Sequence, residues 1–97
     1  MDPNRLEGKN ILITGAARGM GEANARSFAE QGGNVCLGDL DFKAAQSVAD
    51  EINAAGNGRA IAVKMDVTRR EDNAAAVAAT VEAFGSINVG VFNAGLN

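Results

Sequence analysis

An α/β fold with a parallel sheet is predicted for this chain by three observations: short apolar runs at near-even intervals, helical periodicity between them, and glycines at the changeovers. The strand-like runs begin near Asn10 (Asn-Ile-Leu-Ile-Thr), Asn34 (Asn-Val-Cys-Leu-Gly), Ala60 (Ala-Ile-Ala-Val-Lys) and Ile87 (Ile-Asn-Val-Gly-Val-Phe). Short apolar strands alternating with helices of this length are the pattern of right-handed crossovers in a parallel sheet.

The first intervening helix is predicted from about Met20 to Gln31, with Ala25, Phe28 and Ala29 as its inward stripe. In the second, Ala45, Val48, Ala49 and Ile52 recur at i, i+3, i+4 and i+7. Ala74, Val77, Ala78 and Val81 repeat that spacing in the third, and Phe84 extends it. Thr68 followed by Glu71 reads as a capping box, and Gly32, Gly56 and Gly85 stand where helix C-terminal caps belong. The polar stretch from Met1 to Gly8 reads as a loose leader.

At 97 residues the chain is one small domain at most, and one this short buries only about 60–65% of the surface that its unfolded form exposes. Hydrophobic residues make up 46% and charged residues 22%, the balance of a soluble globular protein. Twelve acids against nine bases give a net charge of −3, and no basic block is offered to a phosphodiester backbone. No apolar run approaches the ~20 residues that cross a bilayer. Nucleic acid and membrane are therefore not expected partners. A single cysteine and no secretory pattern point to a reducing cytoplasm. Cys36 alternates with Val35 and Leu37 and reads as a packing residue, and without histidine or a second cysteine no metal site is expected. Tyrosine and tryptophan are also absent, which leaves carboxylates and Lys9, Lys43 and Lys64 as the acid/base side chains. Arg69 and Arg70, at the start of the third helix, read as solvated surface.

Between the first strand and first helix stands Thr14-Gly15-Ala16-Ala17-Arg18-Gly19-Met20-Gly21. A turn from the end of a strand into a helix aims free backbone N–H groups and the positive end of the helix dipole at one point, which suits a pyrophosphate. Gly15 supplies the tight turn, Gly19 the close approach of the phosphate and Gly21 the close packing of helix on strand. The second strand ends in Asp39, near the spacing of about 20 residues at which an acid meets the adenosine ribose hydroxyls. A carboxylate there accepts two hydroxyl hydrogen bonds and repels a 2′-phosphate, which favours NAD. Arg18 within the turn keeps NADP open, because it could reach a 2′-phosphate. Asp41 could stand in for Asp39, although its place before the second helix suits an N-cap.

With these motifs in place, the chain resembles the short-chain dehydrogenase/reductase family from Gly8 to Asn97. The glycine turn is similar to the family's cofactor turn, Asp39 to its ribose acid, Asp66-Val67 to its adenine-contacting pair and Asn93-Ala94-Gly95 to its Asn-Ala-Gly turn. The resemblance implies a Rossmann-type, doubly wound parallel sheet of about four βα units in the order 3-2-1-4. It also implies cofactor contacts at Gly15, Ala17, Arg18, Gly19, Met20, Gly21, Asp39, Leu40, Asp66, Val67, Asn93, Ala94 and Gly95. Phe92 departs from the family, which usually has a second asparagine before Asn-Ala-Gly.

The family's catalytic Ser, Tyr, Lys and Asn all follow that turn, so no catalytic residue is expected within residues 1–97. The whole chain is expected to be the N-terminal part of one NAD(P)-binding domain, completed by a companion C-terminal segment. The resemblance further implies a small alcohol or ketone substrate and a homo-oligomer, dimer or tetramer. The implied activity is hydride transfer between the nicotinamide cofactor and a secondary alcohol or ketone. The non-enzymatic alternative is a dinucleotide-binding sensor or scaffold that has lost catalysis. An S-adenosylmethionine methyltransferase fits less well, because Thr14 stands where such enzymes usually carry an acid. A kinase-like P-loop lacks its Lys-Ser/Thr.

Overall fold

The computed structural model describes residues 5–92. Strands β1 (Asn10–Thr14), β2 (Asn34–Asp39), β3 (Arg59–Lys64) and β4 (Val89–Phe92) alternate with helices α1 (Gly19–Glu30), α2 (Phe42–Ala55) and α3 (Arg70–Phe84). All strand pairs are parallel and the order is β3-β2-β1-β4, as the family resemblance implies. Register runs from Asn10 opposite Asn34 to Thr14 opposite Gly38, and Asp39 faces Lys64 at the end of β3. The fourth strand starts at Val89 rather than near Ile87. Asn88 is instead a clasp: its N–H donates to the Asn10 carbonyl and its Oδ1 accepts the Asn10 N–H, each at 2.8 Å.

The period-two alternation of a strand sends neighbouring residues to opposite faces of the sheet. Ile11, Ile13, Val35, Leu37 and Ala60 join Ala25 and Ala29 of α1 and Ala45, Val48, Ala49 and Ile52 of α2 in one apolar cluster. Phe28 packs against it only partly buried. Leu12 and Cys36 point the other way and meet Met65 and Ala76. Cys36 is fully buried, and burial pushes its thiol up in pKa, with partial opposition from a hydrogen bond to Thr80. This is the setting of an inert packing cysteine.

Helix α3 departs from the periodicity reading. Ala76 and Thr80 are its buried residues, whereas Ala74 and Ala78 are exposed and Val77 and Val81 are 38% and 40% exposed. Alanines lie all round this helix, so its faces differ little in hydrophobicity and the spacing of the valines does not decide which one turns inward. Small residues at the contact let the helix approach the sheet closely, and the Thr80 hydroxyl bonds back to the Ala76 carbonyl at 2.8 Å. The capping box is also absent. Helix α3 begins after Arg69, and Thr68 gives its hydroxyl to Asp66 while Asp72, in place of Glu71, reaches back to the Asp66 N–H.

The predicted glycine stops are in place, with Gly56 and Gly85 as left-handed caps of α2 and α3 and Gly32 at φ 89° just beyond the Gln31 cap of α1. The leader is not loose from Arg5 onward. Leu6 donates its N–H to the Gln31 carbonyl at 2.8 Å and packs against the larger cluster. At the same end of the sheet the buried Asn10 side chain donates to the Phe84 carbonyl and to Ser86 Oγ, and accepts from Asn34 Nδ2. One amide thereby ties together the starts of β1 and β2 and the exit from α3.

At the opposite end, β1 turns into α1. Gly15 and Gly19 have φ 63° and 62°, a region that side chains rarely adopt. Gly21 is constrained by space, because a Cβ there would collide with the Gly15 carbonyl oxygen. Space around a Cβ at Gly19 is open. Two predictions follow for the complete protein, each read from urea unfolding. Gly21→Ala is expected to cost about 2–3 kcal/mol by overpacking, against about 1 kcal/mol for Gly19→Ala through its backbone angle alone; equal costs would remove the packing argument. Asn10→Ala is expected to cost about 2 kcal/mol, because it removes the three side-chain hydrogen bonds that join β1, β2 and the exit from α3, and a neutral result would show that water replaces them.

Candidate functional site

The carboxyl ends of β1, β2 and β3 converge on a cavity of about 240 Å³ lined by Gly15, Asp39, Leu40, Met65, Asp66, Val67 and Thr68. Parallel strands followed by crossovers all deliver their outgoing loops to this one end, which is where open α/β sheets bind ligands. The floor depends on Gly38: a Cβ there would run into Met65 Sδ, so the missing side chain lets Met65 tuck beneath β2. The volume lies below the ~300 Å³ at which whole small-molecule pockets begin, so it suits part of a larger ligand.

Asp39 bridges two loops. Its Oδ2 accepts the Ala17 N–H at 3.0 Å and its Oδ1 the Asp41 N–H at 2.9 Å. Each carboxylate oxygen has a second lone pair, which leaves the group able to accept from a diol while holding both loops. Asp41 serves as the N-cap of α2, accepting the Ala44 N–H at 3.1 Å, as its position suggests. Its other oxygen meets Arg18 Nη2 at 2.6 Å.

Asp66 is shaped by its own loop. Thr68 donates both its hydroxyl, at 2.6 Å, and its N–H, at 2.9 Å, to Asp66 Oδ1. The Thr68 hydroxyl bond first, then its backbone bond, and to a lesser degree the charge of Arg69, hold the Asp66 carboxyl below the usual aspartate range. Asp66 lines the cavity, and the same bonds favour its charged, hydrogen-bond-accepting form.

Gly15, Asp39, Leu40, Asp66 and Val67 are thus gathered around one cavity. Arg18, Gly19 and Met20 form the exposed start of α1 beside it, while Gly21 is buried behind them. The Ala17 amide is already engaged by Asp39, so its part is to fix the turn against the acid. Asn93, Ala94 and Gly95 and the ring of Phe92 lie outside the described residues. Met65, Thr68 and Asp72 were not singled out as site residues. The signal for Thr68 was present: an Asp two positions before a Thr is a known pattern of local side-chain-to-backbone bonding. No group of three His, Cys, Asp or Glu side chains is placed to hold a metal among the described residues, and no helix there is long and apolar enough to cross a membrane.

Comparison with known proteins agrees with this arrangement. The model of the short chain dehydrogenase family matches residues 9–97. An uncharacterized oxidoreductase of Bacillus subtilis, YuxG, is 52% identical over 89 residues, which are 91% of this chain and 13% of that protein. The 2,5-dichloro-2,5-cyclohexadiene-1,4-diol dehydrogenase LinX of Sphingobium indicum is 50% identical over 84 residues, 87% of this chain and 33% of its own length. The crystal structure of a hydroxysteroid dehydrogenase from Escherichia coli superposes with a TM-score of 0.92 at 37% identity, covering 98% of this chain and 40% of that one. The chain therefore spans only a minor part of the relatives it matches. With the strand order, the glycine turn and the acids at the strand ends in agreement with that match, the chain belongs to the short chain dehydrogenase family.

Proposed function

We propose that these residues form the adenosine- and pyrophosphate-holding part of an NAD-dependent oxidoreductase that moves a hydride between the cofactor and a secondary alcohol or ketone. The observation that carries the reading is the position of Asp39. Its carboxylate lies across the glycine turn and faces the same cavity as the Asp66–Thr68 loop. A nucleotide fits the donor and acceptor set: a diol acceptor in Asp39, an acceptor for an exocyclic amine in Asp66, apolar walls in Leu40 and Val67, and space over Gly19 for a phosphate.

In this reading Asp39 grips the adenosine ribose, Asp66 and Val67 flank the adenine, and the first turn of α1 from Arg18 to Met20 meets the pyrophosphate. Asn93, Ala94 and Gly95 border the second ribose. The bound nicotinamide supplies the hydride chemistry, and the residues here supply position and field. The Asp39 carboxylate disfavours a 2′-phosphate, which sets the preference for NAD over NADP. The partly exposed Val77, Val81 and Val89 give a companion segment and a second subunit apolar surface to cover. The buried free Cys36 suits a cytoplasmic setting.

Titration of the complete protein is expected to show NAD binding at least about tenfold more tightly than NADP; tighter NADP binding would sink the assignment. Asp39→Ala is expected to weaken NAD by about 2 kcal/mol, roughly thirtyfold, through two lost hydroxyl bonds. For Asp66, the carboxyl NMR titration in Thr68→Val is expected to move up toward the ordinary aspartate range, because the hydroxyl bond that lowers it is gone. The acid limb of NAD binding should move up in pH with it. An unmoved titration would show that the Thr68 hydroxyl does not control this group.

A further inference from the structure

Arg18 is the cation of the glycine turn, yet it does not line the cavity. Its Nη2 reaches Asp41 Oδ2 at 2.6 Å, across the gap between the start of α1 and the start of α2. Asp41 is held from three sides: its N–H donates to Asp39 Oδ1, its Oδ1 caps α2 through Ala44, and its Oδ2 receives Arg18. The acid that faces the ribose and the acid that restrains the arginine are therefore joined by a hydrogen bond in one short loop.

This connection bears on cofactor selection. A 2′-phosphate placed beside Asp39 would need a cation, and Arg18 is near enough in the fold to supply one only by leaving Asp41. We infer that Asp41 is a specificity-determining positioning residue, which keeps Arg18 from serving a 2′-phosphorylated adenosine. Cofactor choice then depends on the Asp39, Asp41 and Arg18 group together. The inference rests on the dinucleotide reading of the cavity and adds a residue that makes no contact with the cofactor. The pair is solvated, with side-chain exposures of 71% and 44%, so the lock is modest in strength and sensitive to salt.

Asp41→Asn isolates the charge. Asparagine is as good an N-cap as aspartate and keeps the backbone N–H given to Asp39, so α2 retains its start. NAD and NADP dissociation constants are measured on the complete protein at low salt, for the wild type, Asp41→Asn, Asp41→Glu and the double variant Asp41→Asn with Arg18→Ala. Asp41→Asn is expected to tighten NADP relative to NAD by about three- to tenfold, with the thermal midpoint little changed. Asp41→Glu should keep the wild-type ratio, and the double variant should lose the gain, since the gain acts through Arg18. An unchanged ratio in Asp41→Asn, or a gain that survives in the double variant, overturns the lock while the dinucleotide reading stands. A wild-type protein that binds neither cofactor overturns both.

Discussion

The contact between Gly21 and the Gly15 carbonyl is the constraint on which the rest of the site depends. It brings the first turn of α1 against the end of β1 with no space for a methyl group between them. Gly15 turns the chain at a positive φ, Gly19 turns it again at the start of the helix, and Gly21 lets the helix settle onto that turn. The amide groups and dipole of α1 are thereby aimed at the end of the sheet where the loops after β2 and β3 also arrive. A side chain at position 21 would push the helix away and widen the gap that Asp39 bridges, so the packing glycine and the bridging acid act on the same geometry.

Electrostatics at that end comes from acids that are already engaged. Asp39, Asp41, Asp66 and Asp72 each accept a backbone N–H. These bonds fix the carboxylates in place before any ligand arrives, and fixed acceptors lose little entropy when a sugar hydroxyl or an amine is bound. Acceptor groups suit the hydroxyls and exocyclic amine of a nucleoside, whereas anionic phosphate requires N–H groups, which the helix start supplies. In the proposed reading, loop acids beside a helix N-terminus match the two halves of a nucleotide.

Most of the fold was legible in the sequence because β1, β2 and α2 have strong contrast. In α2 the apolar positions stand against Lys43, Gln46, Asp50 and Glu51, so only one face is suitable for burial, and Ala45, Val48, Ala49 and Ile52 are indeed buried. The reading failed where contrast vanished, in the alanine-rich α3, whose orientation is set by how closely Ala76 and Thr80 approach the sheet. It failed again at Thr68-x-x-Glu71, where a local pattern had two possible partners. Asp66 competes for the Thr68 hydroxyl at 2.6 Å, a charge-assisted bond stronger than a neutral cap. Of the candidate site, the glycines and Asp39 stood out by their spacing together with their places at the ends of the first two strands. The floor provided by Met65 beneath Gly38, and the pairing of Arg18 with Asp41, depend on which strands become neighbours and could not be read along the chain.

The two faces of the sheet differ in a way that bears on how the site is used. One face carries α1 and α2 over a large apolar cluster, and the cavity at the carboxyl ends of β1 to β3 also draws on the opposite face through Met65 and Val67. The other is covered among the described residues by α3 alone, over a smaller cluster, with β4 at the sheet edge and Val89 46% exposed. Parallel sheets are stable when both faces are covered. The cavity is floored by residues that pack on the α3 face, while its acids are held by backbone bonds from the loops around it. In the proposed reading the reactive end of a dinucleotide lies next to β4, on the side of the sheet that the described residues cover less.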